Sequence, residues 1–317
     1  MPVEDPYNPG LYLPGMLLED ESGLYGQDSY LTWVVWRDIL LGPRSSGNLY
    51  CLRTLEGWEE LPPYQTQKVS VGGGHGTLVA PIQFDERAVI VSGWCSERSA
   101  RNQLVQTFMR AAAPSGSGAL QTESLQVTHA GVTLSADARV VRASATAEAG
   151  WALGRFGWVV QWLCNDPRRY GQQVSQQSFL ALPGAGLALP ASLPAAFAAN
   201  PVGGMFSVEN VGTADAPARY VLTGPLANPG VMVNAGTVNQ VAVQYALSLA
   251  DGESLVIDTR DGGAGFLNGG YRSPASGSGL TSDLVIRPGL NSVQALGVAS
   301  AGSPGSSISV TFRPAYW

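Results

Sequence analysis

Residues 157–164 read Gly-Trp-Val-Val-Gln-Trp-Leu-Cys, a short run dominated by β-branched and aromatic side chains. Such a run favours a β-strand, because these side chains pack well against the pleated surface of a sheet. Six further runs of strand length precede it, at residues 31–36, 49–52, 77–82, 88–94, 125–128 and 138–146. Turn-forming residues separate the runs, so the first part of the chain is predicted to be a β-domain.

Residues 99–113 depart from this pattern and have the period of an amphipathic helix. Small and apolar side chains recur at every fourth position, at Ala100, Leu104, Phe108 and Ala112. Ser96 is the expected N-cap, and the helix is expected to end before residues 114–118, which read Pro-Ser-Gly-Ser-Gly. We expect this helix to cover one end of a β-sandwich.

The chain after residue 200 is predicted to form a second β-domain. Eight candidate strands lie at residues 205–210, 218–223, 230–233, 238–249, 254–258, 283–286, 292–296 and 306–312. Turn signals at residues 250–252, 261–263 and 287–291 separate several of them. This many short strands in roughly 115 residues predicts a two-sheet sandwich or jelly roll.

Residues 183–203 are predicted to link the two domains. They contain four prolines and no charged side chain, and seven of the eight tryptophans precede them, with only Trp317 following. The predicted domains are therefore residues 1–190 and 191–317. The prolines also argue against membrane insertion of this apolar stretch, because they would leave backbone groups unpaired in lipid.

The net charge of −6 is confined to the start of the chain. No basic residue precedes Arg37, whereas six acidic residues do: Glu4, Asp5, Glu19, Asp20, Glu21 and Asp28. The rest of the chain carries 18 acidic and 18 basic residues, so its charges balance. A reader of duplex DNA needs a clustered basic surface, and sequence-specific nucleic-acid binding is therefore not expected.

The cysteines and histidines do not form a pattern for disulfides or metal binding. Cys51, Cys95 and Cys164 are odd in number and far apart, and each lies in an apolar stretch. We expect buried free thiols in a reducing cytosol. With only His75 and His129 as further ligands, a structural metal site is not expected.

No motif for catalysis or cofactor binding stands out in the sequence. There is no Gly-x-Ser-x-Gly nucleophile motif. Residues 72–76, Gly-Gly-Gly-His-Gly, lack the Lys-Ser/Thr pair of a phosphate-binding loop, so a hairpin tip is expected there. Residues 258–263 lack the alternating oxygen ligands of a calcium loop. The residues therefore predict a non-enzymatic protein without a cofactor or metal.

The chain resembles the distal tail proteins of long-tailed bacteriophages, Dit-like minor tail proteins of the siphovirus tail tip, in the form found in actinobacteriophages. In the first domain the resemblance rests on Trp36-Arg-Asp-Ile39, Leu55-Glu-Gly-Trp58, the helix at 99–113 and Leu163-Cys-Asn-Asp-Pro167. In the second it rests on residues 200–204, 252–259, 287–291 and 309–317. The order and spacing of these segments, together with the aromatic end of the chain, establish the resemblance.

The resemblance implies a mainly β fold: an N-terminal β-sandwich or split barrel with one helix near residues 97–113, then a C-terminal galectin-like β-sandwich (jelly roll). It implies a homohexameric ring between the major tail tube protein and the tail hub, next to the tape measure protein. Receptor-binding proteins or fibres would dock on this ring. The expected location is the distal end of the tail in the virion, after assembly in the host cytoplasm.

Two groups of charged residues become candidate sites under this resemblance. The acidic segment, with Glu19, Asp20, Glu21 and Asp28, is expected either to line the ring lumen and repel passing DNA or to interlock neighbouring subunits. Its candidate basic partners between subunits are Arg37, Arg44, Arg53, Arg98, Arg101 and Arg110. No residue is expected to be catalytic.

Two alternative functions are compatible with the sequence. A carbohydrate-binding adhesin would use the second domain, with the Gly- and Ser-rich loop at residues 261–282 as its contact. A galectin-type sugar site is not expected there, because the second domain has no His and its sole Trp is Trp317. A tail-associated glycan hydrolase would need a carboxylate pair that only folding could assemble.

Overall fold

The chain folds as two compact units, residues 1–169 with Trp317, and residues 170–316. The structure is a computed structural model that describes residues 32–37, 39–43, 49–65, 68–70, 75, 77–79, 83–96, 101–113, 122–147, 152, 154–180, 204–260, 262–299 and 306–317. The division after Arg169 precedes the expected boundary at residue 190, because the strand Val174–Phe179 pairs with Ser307–Phe312 in the second unit. The expected linker at residues 183–203 lies outside the described residues.

The first unit contains eleven described strands and one described helix, α1 (Arg101–Ala112). The strands are β1 (Trp33–Trp36), β2 (Ile39–Gly42), β3 (Tyr50–Glu56), β4 (Tyr64–Gln65), β5 (Lys68–Ser70), β6 (Thr77–Val79), β7 (Gln83–Phe84), β8 (Arg87–Ser96), β9 (Glu123–His129), β10 (Val132–Ala147) and β11 (Arg155–Cys164). Strand β12 (Arg169–Tyr170) spans the boundary between the units.

Seven of these strands close into a barrel in the order β11-β8-β3-β2-β1-β9-β10, and β10 pairs again with β11. The pairing of β2 with β3 is parallel, and the others are antiparallel. The mainly β prediction is confirmed, but the first unit is a closed barrel rather than a sandwich or split barrel. Closure follows from the length of β10, which spans 16 residues and pairs along its two sides with β9 and β11.

Aromatic side chains dominate the core of the barrel unit. Trp36, Trp158, Trp162 and Phe156 are almost fully buried, and the Trp36 and Trp162 rings meet edge to face at 5.3 Å. Helix α1 adds Phe108, which is fully buried against Trp36, Tyr50 and Trp158. Burial of such large rings is the main stabilising contribution to this unit.

The helix confirms the predicted amphipathic segment, and it is described over Arg101–Ala112. Leu104 and Phe108 are buried, as the four-residue period predicts. The Tyr50 hydroxyl donates a hydrogen bond to the Leu104 carbonyl oxygen at 2.8 Å and fixes the helix to β3. Ser96 is not the N-cap, because it is the last residue of β8 and pairs with Arg155.

The second unit contains the remaining strands, and all except the last of them are arranged in two antiparallel sheets. They are β13 (Val174–Phe179), β14 (Met205–Asn210), β15 (Ala218–Thr223), β16 (Leu226–Val233), β17 (Val241–Gln244), β18 (Ser248–Leu249), β19 (Ser254–Asp258), β20 (Ala264–Leu267), β21 (Gly270–Arg272), β22 (Gly289–Ala299), β23 (Ser307–Phe312) and β24 (Ala315–Tyr316). A six-stranded sheet has the order β13-β23-β15-β19-β20-β21. A five-stranded sheet has the order β14-β22-β16-β17, with β18 paired to β16.

Each of the two sheets buries one face, which is the pattern of a β-sandwich. In β15, Tyr220 and Leu222 are fully buried, while Arg219 between Ala218 and Tyr220 is exposed. In the five-stranded sheet, Val231 and Val233 of β16 are buried in the same alternation. The predicted two-sheet core is therefore present in the second unit.

Two predicted strands of the second unit differ from the structure. The predicted strand at 238–249 is divided into β17 and β18, because the chain turns at the buried Tyr245. The predicted strand at 283–286 is absent; Thr281–Asp283 form a 3₁₀ turn, and Ile286 makes a single bridge with Ala216. Leu284 and Ile286 are nevertheless buried, so the apolar residues of this segment correctly indicated burial although not a strand.

Candidate functional site

The structure describes only some of the charged residues that the sequence proposes as sites. Glu19, Asp20, Glu21 and Asp28, like Arg44 and Arg98, lie outside the described residues. Arg101 begins helix α1. Arg53 and Arg110 have exposed side chains, which leaves both accessible to a partner.

Arg37 is engaged within its own chain. Its guanidinium binds the carboxylate of Glu123 on β9 through two nitrogens, with Nε donating to Oε2 at 2.5 Å. Its Nη1 also donates to the carbonyl oxygens of Ala111 and Ala113 at the end of α1. A cation at the C-terminal end of a helix is favourable, so Arg37 holds this end of α1 against the barrel.

Arg87 is a buried arginine that the sequence does not single out. It is 1% exposed and donates hydrogen bonds to the carbonyl oxygens of Gly57, Trp58, Glu60 and Pro167 at 2.7–3.0 Å. Burial, followed by the positive charge of Arg169, lowers the pKa of Arg87 to about 10. Arg87 therefore organises the loop after β3 and the turn before β12.

Arg169 makes a second arginine contact in the same region. Its side chain pairs with Glu59 at 2.7 Å, donates to the Trp317 carbonyl oxygen and lies 5.7 Å from the centre of the Trp58 ring. The Trp317 ring packs on Phe84 with their centroids 4.3 Å apart. Trp317 thus belongs to the first unit, not to the second domain as the sequence suggested, and the second unit contains neither Trp nor His.

The three cysteines are free and buried, as predicted. Burial is the main cause that raises the pKa of the Cys164 thiol to about 12. Within the described ranges, no group of three His, Cys, Asp or Glu side chains is placed to hold a metal ion. No helix among the described segments is both long and apolar enough to cross a membrane.

The glycine-rich stretch at 72–76 lies between two paired strands. Lys68 of β5 pairs with Val79 of β6, and Ser70 pairs with Thr77, in an antiparallel hairpin. The segment that follows the glycines is therefore a strand and not the helix of a phosphate-binding loop, as predicted. Most of the tip itself lies outside the described residues.

The outer surface of the barrel carries a pair of exposed apolar side chains on neighbouring strands. Val35 of β1 and Leu40 of β2 are directly opposite in the strand register and are 38% and 40% exposed. Because the seven barrel strands pair in a closed cycle, each of them has a paired neighbour on both sides. The side-chain face formed by this pair, the Val35–Leu40 patch, is therefore a candidate surface for contact with another molecule.

The second unit has an open groove of about 550 Å³ on the outer face of the six-stranded sheet. The residues that line it come from β15, β19 and β20 and from the turns beside them. They are Arg219, Gly252, Ser254, Val256, Asp258, Phe266, Asn268 and Gly269. The loop at residues 261–282, which the sequence analysis proposed as a sugar contact, contributes only Phe266, Asn268 and Gly269 to this groove.

Comparison with known proteins gives fold similarity without sequence similarity. No protein-family model matches the chain, and no curated protein matches it significantly. The solved structure of the phage SPP1 Dit protein superposes with a TM-score of 0.54 and 12% identity, covering 90% of this chain and 99% of that one. The chain has the Dit fold.

The Dit fold confirms, at the level of fold, the resemblance seen in the sequence, and the match covers most of the chain. The SPP1 structure is described as a hub adsorption apparatus in phages that infect Gram-positive bacteria. Two structures of the phage P2 baseplate in its activated conformation, with calcium and with strontium, are also similar. Their TM-scores are 0.41 and 0.42 at 8% and 9% identity, and each covers 89% of this chain and 97% of that one.

Proposed function

We propose that this protein is a structural component of a phage tail tip. The observation that supports the proposal is the Dit fold, shared over 90% of the chain with a phage hub protein. A shared fold does not by itself give a shared function, so the surfaces must supply the rest of the argument. In this role the protein acts through its interfaces and catalyses no reaction.

In this proposal the first unit forms a homohexameric ring. A ring needs two different complementary surfaces on each subunit, so that each subunit contacts the next in the same way. The Val35–Leu40 patch supplies an apolar centre for one of these surfaces, and apolar side chains are typical of the middle of a subunit interface.

The β5–β6 hairpin supplies a second feature suited to a subunit contact. Among the described residues, each of its strands pairs only with the other, so neither outer edge is paired with another described strand. An isolated two-stranded hairpin is at best marginally stable in water. Contact with a neighbouring subunit would stabilise this hairpin and would cover its edges.

The acidic segment at Glu19–Glu21 and Asp28 is proposed to approach the ring lumen, where negative charge would repel passing DNA. The alternative is an arm that binds exposed arginines of the neighbouring subunit, for which Arg53 and Arg110 are accessible. A ring structure with Glu19, Asp20 and Glu21 on the outer rim would contradict the lumen proposal.

We place the protein at the distal end of the tail in the virion. There the ring would join the major tail tube protein to the tail hub beside the tape measure protein, after assembly in the host cytoplasm. The second unit, as a galectin-like sandwich, would point outward and offer docking sites to receptor-binding proteins or fibres. These neighbours follow from the resemblance to distal tail proteins and complete the proposal.

The ring interface can be tested with the variant Leu40→Glu in the full chain. Leu280→Glu is the matched control, since Leu280 is 68% exposed in the second unit. We expect Leu40→Glu to shift the sedimentation of the assembled protein to that of a monomer, and Leu280→Glu to leave it unchanged. Far-UV circular dichroism would verify that both variants fold. Equal assembly of the two variants would contradict a ring contact at the Val35–Leu40 patch.

A further inference from the structure

The outer face of the six-stranded sheet carries an ordered pattern of side chains. An apolar row crosses four strands, because Val221 pairs with Val256, Val256 with Phe266, and Phe266 with Tyr271. Polar pairs lie on the two sides of this row. Arg219 pairs with Asp258 on one side, and Thr223 pairs with Ser254 on the other.

Val256 and Phe266, the two central members of the apolar row, form the floor of the groove described above. Phe266 is half-buried, and the Tyr271 ring meets it edge to face with the centroids 6.3 Å apart. Gly252 and Gly269 stand beside this floor, and a Cβ at either position would meet no atom within 4 Å. The backbone at these two glycines therefore has open space beside it, and Phe266 is partly exposed to solvent.

The polar side chains around the floor provide both donors and acceptors of hydrogen bonds. Arg219 is exposed, and its guanidinium can donate several. Asp258 accepts one hydrogen bond from the Arg260 backbone N–H at 3.0 Å and retains further acceptor positions. Asn268 donates its amide to Glu253 at 3.1 Å, which orients its carbonyl oxygen.

The charges at the groove and the pairing of its strands argue against two classes of ligand. Arg219 and Asp258 balance each other, so the groove lacks the excess of positive charge that phosphates or nucleic acids require. The groove also lies on the face of central strands, whose backbone groups are already paired. An extended peptide that binds by strand addition needs a free sheet edge instead.

We infer that this groove binds a short neutral saccharide. A sugar ring has one apolar face of C–H groups, which matches the Phe266 and Val256 floor, and a rim of hydroxyls, which matches Arg219, Asp258 and Asn268. The groove volume of about 550 Å³ is within the usual range of small-molecule sites. This inference goes beyond a structural role, and it uses residues other than the His and Trp that the second unit lacks.

The affinity of the site for a single saccharide is expected to be weak. The groove is open, and each hydrogen bond to the sugar replaces one to water, so the net gain per bond is small. A Kd on the order of 1 mM corresponds to about −4 kcal/mol and suits such a contact. A ring of several copies would raise the apparent affinity for a polysaccharide surface through multivalency.

Saturation-transfer NMR on the full chain tests the inference. The probes are neutral mono-, di- and trisaccharides of glucose, galactose, mannose, rhamnose and N-acetylglucosamine. At least one probe is expected to bind, and Phe266→Ala and Arg219→Met are each expected to weaken its binding at least tenfold. The matched control is Phe179→Ala, an exposed phenylalanine on β13 of the same sheet, which should leave binding unchanged.

Three outcomes would overturn the inference. The first is that no probe binds at roughly 10 mM, a concentration well above the expected Kd. The others are an equal loss of saccharide binding in Phe266→Ala and Phe179→Ala, and tighter binding of polyphosphate than of every sugar. Circular dichroism would establish that Phe266→Ala is folded, and Arg219→Met provides a surface change that leaves the floor intact. Ring assembly is measured on the same variants and should not change. A failure of saccharide binding is thereby separated from a failure of the proposed structural function.

Discussion

The two units of this protein bury different kinds of side chain. The barrel unit encloses Trp36, Trp58, Trp158 and Trp162 almost completely, whereas the second unit has a core of Val, Leu, Ile and Ala with a few Tyr and Phe. The barrel strands form a closed cycle, while the outer face of the six-stranded sheet carries exposed side chains on β13 and β15. The barrel strands offer a partner mainly their side chains, and an exposed sheet face can form a groove.

Because of this difference, we propose different functions for the two units: contact between subunits for the barrel unit and ligand binding for the second unit. The barrel unit presents an apolar patch that suits a permanent contact with another copy. The second unit presents hydroxyl, amide and balanced charged groups that suit reversible contact with a hydrated ligand. Each task can then be disrupted by substitutions that leave the other intact.

The tryptophans allow the two units to be followed separately. All eight belong to the first unit, so selectively excited tryptophan emission reports the barrel, whereas far-UV circular dichroism reports both units. The predictions below use this contrast within the full chain. They are ordered from the largest expected effect to the smallest.

Removing the ring of Phe108 should have the largest effect. We expect Phe108→Ala to lower the free energy of unfolding of the barrel by about 3–5 kcal/mol, because it leaves a cavity between Trp36, Tyr50 and Trp158. Denaturant unfolding followed by tryptophan emission measures this loss. The control Met109→Ala, at a 42% exposed position on the same helix, should cost less than about 1 kcal/mol. Similar costs for the two variants would contradict the helix packing.

Removing the buried Arg87 should have the next largest effect. Arg87→Met leaves four carbonyl oxygens without this donor, and we expect a loss of about 2–4 kcal/mol in the barrel. Arg142→Met, at an exposed position on β10, is the matched control and should change the stability by less than about 0.5 kcal/mol. If Arg87→Met left the free energy of unfolding of the barrel unchanged, the four hydrogen bonds would make no net contribution to its stability.

Alkaline pH should destabilise the barrel through Cys164. Its pKa is raised to about 12 from 9.0, so the folded state keeps the proton that the unfolded chain loses above pH 9. This contribution is complete below pH 9 and falls as pH rises, by about 1.4 kcal/mol at pH 10. Comparing unfolding at pH 8 and pH 10 measures it, and Cys164→Ala should remove that part of the pH dependence. If the stability of the wild-type protein and of Cys164→Ala fell equally between pH 8 and pH 10, this assignment to Cys164 would be contradicted.

A single hydrogen bond in the second unit should have the smallest effect. The buried Tyr220 hydroxyl donates to the Leu284 carbonyl oxygen at 2.9 Å. Tyr220→Phe should lower the stability by about 1 kcal/mol, visible in circular dichroism with no change in tryptophan emission. A change in tryptophan emission instead would contradict the assignment of Tyr220 to the core of the second unit.

The alternation of apolar residues predicted most strands but not how they pair. β8, β11, β15 and β19 were found because one or both of their faces are buried. β13 was missed because its sequence, Val-Ser-Gln-Gln-Ser-Phe, is almost wholly exposed and has no apolar period. Closure of the barrel depends on β10 pairing with β11, which no local pattern specifies.

The candidate sites were harder to predict, because they depend on contacts between distant residues. Arg87 looks like any surface arginine until folding surrounds it with carbonyl groups from residues 57–60 and 167. Arg37 was proposed to contact another subunit, but its carboxylate partner is Glu123 in the same chain. The groove takes side chains from three strands, and only the register places Arg219 beside Asp258.

The native mass of the purified protein, alone and mixed with tail tube and hub proteins, tests the central claim most directly. Our account predicts a species of about six times the 33.2 kDa chain mass, formed by the protein alone or on its tail partners. The same measurement on Leu40→Glu should give the mass of a single chain. A wild-type protein that stays monomeric and joins no tail component would contradict the account.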